Sequence, residues 1–274
     1  MDRSDLAERM KTYYEQIPKT KLMRRCPVVI RLDGKSFHTF TRGFKKPFDE
    51  ILIKSMQETM KYLCENIQGC VLGYTQSDEI SLLLIDYKKL TSEAWFDYEV
   101  QKMCSVAASM ATMAFNEIFQ RIYAKMYMEA NDKDKEILLK TYGNKCFKAM
   151  FDARVFNIPK EEVTNYFYWR QLDCIRNSIL MVGQANFSYK ELHNKTCKMV
   201  QDMLITQKEI NWNDYPTHQK RGSCCVKTGA NETRGTERPH WIIDTEIPQF
   251  KDEGRNYIDK LVYITEEDWL VYAN

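Results

Sequence analysis

The chain has 274 residues and 32.6 kDa, with 44% hydrophobic and 28% charged residues, enough to bury one large core or two modest ones. Its 40 Lys+Arg against 38 Asp+Glu leave +2, so no global charge announces nucleic acid, and no apolar run reaches the ~18 residues of a membrane span. Nine cysteines make no C-x-x-C pair and no zinc-like Cys/His spacing, and Met1–Asp5 is charged where a secretory signal is apolar. A reduced, soluble, cytoplasmic protein is the expectation.

The net charge hides a distribution. Residues 241–274 carry eight acids against three bases, or −5, which leaves +7 for residues 1–240. Within residues 31–46 stand Arg31, Lys35, Arg42, Lys45 and Lys46 against the single acid Asp33. Such a local excess attracts phosphates, although a solvated loop has the same composition.

Taken in order, residues 26–33 are an apolar, β-branched run that stops at Asp33 and Gly34 and reads as a buried strand. Residues 48–66 place Leu52, Met56, Met60 and Leu63 on one helical stripe. Residues 70–74 and 80–85 read as two strands joined by Thr75-Gln76-Ser77-Asp78, a link short enough only for a hairpin. A long helix over 93–127 and a strand over 149–158 complete the order β-α-β-β-α-β, the split βαβ arrangement. The fold class is therefore α/β in the α+β sense. In it the first strand lies centrally beside the hairpin, the palm's helices share one face and the other face is left for substrate. After Pro159 the pattern predicts a helix over 161–185 and a capping box at Ser188–Glu191 opening a helix to about 208. Two strands, 222–227 and 240–245, follow, flanking a loop over 228–239. Residues 1–159 thus read as a palm-like catalytic domain and 160–274 as a helical and β-hairpin extension packed on it.

Two acidic clusters carry the chemistry. Asp33 ends the central strand and Asp78-Glu79 ends the hairpin, so this topology brings them together. Converging carboxylates repel unless a cation sits between them, and hard oxygen ligands with open positions suit Mg²⁺. Two such ions would clamp the attacking and leaving oxygens of a phosphoryl transfer. Gly34 lets backbone approach a metal or triphosphate closely. The amides of Lys35, Ser36, Phe37 and His38 could form a phosphate nest. Each feature has a plainer reading: Asp-Gly is a common turn, His38 a surface residue, and Ser77 a turn closer. The aromatic run Tyr166-Phe167-Tyr168-Trp169 is first of all core, and Arg170 with Asp173 an intrahelical ion pair.

The runs Arg31-Leu32-Asp33-Gly34-Lys35-Ser36-Phe37-His38 with Lys46-Pro47, and Tyr74-Thr75-Gln76-Ser77-Asp78-Glu79, resemble the signature of the tRNA-histidine guanylyltransferase superfamily. So does Phe151-Asp152-Ala153-Arg154 with Trp169-Arg170-Gln171-Leu172-Asp173-Cys174. The resemblance implies a polymerase-like palm that adds nucleotides in the 3′-to-5′ direction, after activating a tRNA 5′-phosphate with ATP or GTP. It implies that Asp33 and Asp78 bind two Mg²⁺ ions with the Gly34 carbonyl, and that Glu79 completes the acidic cluster. It further implies that residues 33–38, Lys46 and Ser77-Asp78 hold the triphosphate, and that the protein is a homotetramer. Arg31, Lys102, Arg176 and Asn177 are candidates for contact with a second nucleotide or the tRNA 5′ end.

The departures bear on substrate. Members that add guanosine to histidine tRNA carry His-Ile-Asn-Asn-Leu-Tyr-Asn after Asp-Cys. Here residues 175–181 read Ile-Arg-Asn-Ser-Ile-Leu-Met. The family's Lys-Pro-Asn-Asp is Lys46-Pro47-Phe48-Asp49, and a basic cluster is replaced by Asp97-Tyr98-Glu99 with Lys102 kept in register. These changes resemble the guanylyltransferase-like proteins that repair 5′-truncated tRNA with a template. Addition of guanosine at position −1 of histidine tRNA is the alternative, and a palm-type nucleotide cyclase a more distant one.

Overall fold

The computed structural model describes residues 3–89, 91–228 and 239–264. The elements run α1 (Arg3–Met10), β1 (Val28–Gly34), α2 (Phe37–Phe40), α3 (Glu50–Asn66), β2 (Cys70–Gln76), β3 (Glu79–Leu84), α4 (Val100–Glu129), α5 (Asp132–Thr141) and β4 (Phe151–Asn157). There follow α6 (Lys160–Asn186), α7 (Tyr189–Leu192), α8 (Cys197–Lys208), α9 (Thr217–Arg221), β5 (Ser223–Lys227), β6 (Trp241–Asp244) and α10 (Asn256–Val262). The six strands form one antiparallel sheet in the order β4-β1-β3-β2-β5-β6. Its first four strands have the split βαβ order expected from the sequence, and β5 and β6 continue it beyond β2.

Alternation along the strands assigns the two faces. Val28, Ile30 and Leu32 of β1, with Ile80, Leu82 and Leu84 of β3, pack into one core with Met56, Met60 and Leu63 of α3 and Met103, Ala107 and Phe115 of α4. Val29, Leu72 and Leu83 point the other way, into a second core with Val163, Tyr166 and Phe167 of α6 and Ile258 and Val262 of α10. The palm's own helices do share a face. The opposite face is not open to substrate: its apolar side chains need cover, and α6 and α10 supply it. What remains accessible is the rim of the sheet where β1 ends and the β2–β3 hairpin turns.

Local chemistry sets the other boundaries. Helix α3 starts at Glu50 because Asp49 caps it, its carboxylate accepting from the amides of Leu52 (3.0 Å) and Lys45 (2.9 Å) and from the Tyr142 hydroxyl (2.7 Å). The long helix starts at Val100, not near residue 93, since Phe96, Asp97 and Tyr98 are left-handed (φ 51°, 51° and 55°). The capping box at Ser188 and Glu191 forms, but opens only the single turn α7; Thr196 caps a separate α8. The loop read over 228–239 falls mostly on residues 229–238, outside the described residues, as do residues 265–274 of the acidic C-terminal stretch. Among the described residues no helix is long and apolar enough to cross a membrane.

Candidate active site

The hairpin is tighter than expected: only Ser77 and Asp78 separate β2 from β3, and Ser77 takes φ 51° to make the turn. The end of β1 is tied to it by one main-chain bond, the Gly34 amide donating to the Asp78 carbonyl at 3.0 Å. Asp33 and Asp78 are therefore neighbours by backbone geometry, as the topology required.

Register lays out the charges beneath them. Asp33 stands opposite Asp152 on β4 and Glu79 on β3, while Arg31 stands opposite Arg154 and Ser81. Directly opposed residues share a face, so a row of three acids lies one step from a row containing two arginines. Two of the acids are satisfied there: Asp152 pairs with Arg154 at 3.3 Å, and Glu79 with Arg31 at 2.9 Å. Asp33 makes no ion pair among the described residues. Burial raises the Asp78 carboxyl above its usual range, and the charges of Asp33 and Glu79 add to this against the opposing Ser77 hydrogen bond. This combination favours a cation between Asp33 and Asp78.

The donor set has the character Mg²⁺ uses. Among the described residues no group of three His, Cys, Asp or Glu side chains is arranged to cage a metal. Two carboxylates with a nearby backbone carbonyl are instead the partial set that Mg²⁺ takes when phosphate and water complete its shell. Asp33, Asp78 and the Gly34 carbonyl are the residues that would hold it.

Glu79 stands in the acidic row where the sequence places it, but its carboxylate is not free. It is buried, and Arg170 of α6 grips it with two bonds, Nε to Oε1 at 2.7 Å and Nη2 to Oε2 at 2.6 Å. Its carboxylate is committed to two guanidiniums and acts as a bolt beneath the site. Arg31, a candidate for substrate contact, is the second of those guanidiniums. Burial pulls the Arg170 guanidinium down, but the hydrogen bonds and charge of Glu79 outweigh it and raise it. The Arg170–Asp173 ion pair is present at 3.1 Å, as read from spacing, yet Glu79 is the partner that spacing could not reveal.

Beside the carboxylates lies a cavity of about 530 Å³ lined by Gly34, Ser36, Phe37, His38, Lys46, Ser77 and Asp78. Thr41, Phe44, Lys45, Asp49 and Leu52 complete it on one side, Met181 and Gln184 of α6 on the other. The expected nest is shorter than four amides, because the Lys35 amide donates to Met150 at 2.8 Å. Phe37 is part of the core, its ring 4.9 Å from Phe40 and 5.5 Å from Phe115. Gly34 is required by that packing: a Cβ there would lie 2.3 Å from the Phe37 ring.

The remaining candidates divide. Asn177 reaches a recess beside Ser77, shared with Phe48, Gln76 and His218. Arg176 is exposed and paired with Asp173 at 2.9 Å. Lys102 is not brought to this rim. Thr112 of α4 lies level with Phe151, opposite Gly34, and Lys102 is ten residues back along the helix, about 15 Å away at the far end of the sheet. Of the aromatic run, Tyr166 and Phe167 are core and Trp169 is exposed over Arg170. Met181 and Gln184 escaped the sequence reading, since nothing in their spacing marks which face of α6 meets the cavity.

An antiparallel palm sheet, with paired carboxylates on its rim beside a nucleotide-sized cavity that carries Lys45 and Lys46, defines a nucleotidyltransferase. Residues 7–159 match the model of the family described as tRNAHis guanylyltransferase, Thg1, and the chain belongs to that family. A solved bacterial tRNA(His) guanylyltransferase (Thg1)-like protein in complex with ATP is 43% identical and superposes with a TM-score of 0.79 over 95% of this chain and all of its own. A bacterial Thg1-like structure in complex with GTP is 40% identical, with a TM-score of 0.75 over the same shares. The probable tRNA(His) guanylyltransferase of Homo sapiens is 30% identical over 78% of this chain and 69% of its own length.

Proposed function

We propose that this chain is a template-dependent 3′-to-5′ polymerase that repairs the 5′ end of truncated tRNA. The observation that carries the reading is the stretch after Asp173-Cys174. There Ile175-Arg176-Asn177-Ser178 replaces the His- and Asn-rich motif of histidine-specific members, and Asn177 and Ser178 line the recess behind the hairpin. The 43% identity to a bacterial Thg1-like protein over nearly the whole chain supports it.

In this reading the cavity holds a nucleoside triphosphate with its phosphates toward Lys46, Ser36 and Ser77. The tRNA 5′-phosphate first attacks the α-phosphorus of ATP or GTP, which releases pyrophosphate and leaves a nucleoside monophosphate on the 5′ end as the activating group. The 3′-hydroxyl of the incoming nucleotide then attacks the activated 5′ phosphorus, a new phosphodiester forms, and the activating group leaves. Two Mg²⁺ ions, when bound, supply charge neutralisation for the attacking and leaving oxygens. Asp33 and Asp78 orient that charge, Lys46 neutralises phosphate, and Glu79, gripped by Arg31 and Arg170, holds the carboxylate strands in place. We place the reaction in the cytoplasm and in a homotetramer, whose joined basic surfaces would contact mainly tRNA phosphates.

Addition of a single guanosine at position −1 of histidine tRNA is the second reading, favoured by the family to which residues 7–159 belong. Labelled-nucleotide extension of full-length histidine tRNA, compared with a panel of 5′-truncated tRNAs, separates the two. Repair predicts addition only opposite unpaired template bases and for several tRNAs. Efficient addition to full-length histidine tRNA alone refutes it, and a cyclic product without RNA extension refutes both.

A further inference from the structure

The two lysines of the nucleotide cavity stand on a short loop whose middle is exposed and whose ends are not. Lys45 and Lys46 are exposed, while Phe44 and Asp49 on either side of them are buried. A lysine is a point charge on a flexible stem, and a loop without support has many conformations to choose from. Whether Lys46 meets phosphate is therefore decided by how the two ends are held.

One side chain, ninety-three residues away from Asp49, touches both ends. Tyr142, which ends α5, packs its ring 4.9 Å from that of Phe44 and donates its hydroxyl to Asp49 Oδ2 at 2.7 Å. The same oxygen accepts from the Lys45 amide at 2.9 Å, and Oδ1 accepts from the Leu52 amide at 3.0 Å. The loop, the first turn of α3 and the end of α5 thus meet at one buried carboxylate. Capping α3 needs only the Leu52 bond, and filling the core needs only the tyrosine ring, which also lies 6.4 Å from Phe119. The hydroxyl is surplus to both. Burial, and then the hydrogen bond and charge of Asp49, raise it above the ordinary tyrosine value, so it remains a donor at neutral pH. Just beyond it, Lys145 Nζ donates to the Thr39 carbonyl at 3.1 Å, on the stretch that leads into the loop.

We propose that Tyr142 is a positioning residue for the triphosphate: through Phe44 and Asp49 it fixes the loop that carries Lys45 and Lys46 into the cavity. The inference rests on the nucleotide reading of that cavity. Tyr142 does not line the cavity itself and acts through the lysines.

The test compares wild type, Tyr142→Phe, Lys46→Ala and the double variant. Equilibrium dialysis gives Kd for ATP and for GTP, and extension of a 5′-truncated tRNA gives KM and kcat. Tyr142→Phe keeps the ring and its packing and removes only the hydroxyl. It should raise Kd and KM about tenfold, the lower end of what outer partners of a site cost, with kcat within about twofold. In the Lys46→Ala background the same change should cost less than about twofold, because the main group it positions is gone. A hydroxyl that serves the fold alone would lower the melting temperature and leave Kd and KM where they were. That result overturns the proposal, as does an equal loss of affinity in both backgrounds. Lys46→Ala weakened beside an unaffected Tyr142→Phe overturns the proposal and leaves the cavity reading standing. Lys46→Ala that binds both nucleotides as wild type does overturns the cavity reading and the proposal with it. If wild type binds nucleotide but never extends RNA, the polymerase is refuted and the Kd comparison alone decides.

Discussion

Arg170 places Nε 2.7 Å and Nη2 2.6 Å from the two oxygens of Glu79, the residue that follows Asp78, and Arg31 reaches the same carboxylate at 2.9 Å. The helix covering the second face of the sheet is thereby bolted to the strand carrying the site. Breaking a buried pair by removing one partner strands the other charge, at a cost of about 3–5 kcal/mol. Arg170→Ala should lower stability by that amount in urea titrations. Arg170→Lys should recover only part of it, because an ammonium cannot reproduce the two-bond fork. A loss in Arg170→Ala no larger than an exposed pair gives, under about 1 kcal/mol, contradicts the bolt.

Asp33→Ala and Asp78→Ala should each reduce nucleotide addition by more than about 100-fold, since outer partners of metal ligands already cost 10–100-fold. Binding of tRNA, which draws on phosphate contacts spread over the surface, should change only a few fold. Initial-rate extension with a parallel filter-binding measurement checks both. Full activity in both variants removes the carboxylates from the mechanism.

Gly34→Ala should destabilise the protein by about 1–3 kcal/mol, the cost of overpacking, since its Cβ would meet the Phe37 ring at 2.3 Å. Relief should come from shrinking the ring. In the Gly34→Ala background, Phe37→Leu should cost less than it does alone, a coupling read from the four melting curves of a double-mutant cycle. Strict additivity would show that the close approach is not what requires glycine.

Asp97 gives a pH dependence of defined sign. Hydrogen bonding and charge from Lys21, and then from Arg24, hold its carboxyl below the ordinary 3.8. A depressed carboxylate stabilises the fold where it is ionised and loses that contribution as pH falls through its lowered value. Asp97→Asn should therefore lower the urea midpoint modestly at pH 7, and the gap from wild type should close as the pH is taken below 3.8. A gap that is the same at both ends assigns the effect to the left-handed turn at residues 96–98 rather than to charge.

Much of the palm was legible because its signals are local. The run ending at Asp33, the stripe Leu52–Met56–Met60–Leu63 and the short hairpin link each depend on residues a few positions apart, and together they specify the strand order that brings Asp33 to Asp78. What escaped depends on distant partners. The fate of Glu79 was set by Arg170, ninety-one residues away, and that of the second sheet face by α6 and α10. The three left-handed residues before Val100 fall at Phe, Asp and Tyr, where no glycine marks the turn. The phosphate nest was overestimated because the Lys35 amide finds its acceptor in Met150, beyond the reach of any short-range rule.

The single bond from the Gly34 amide to the Asp78 carbonyl also makes the site self-reporting. The separation of the two carboxylates is held by main chain, so replacing their side chains leaves the frame intact. The deuterium exchange of that one amide therefore measures how often the frame opens. Followed with and without nucleotide, it separates variants that are chemically inert from those that have come apart.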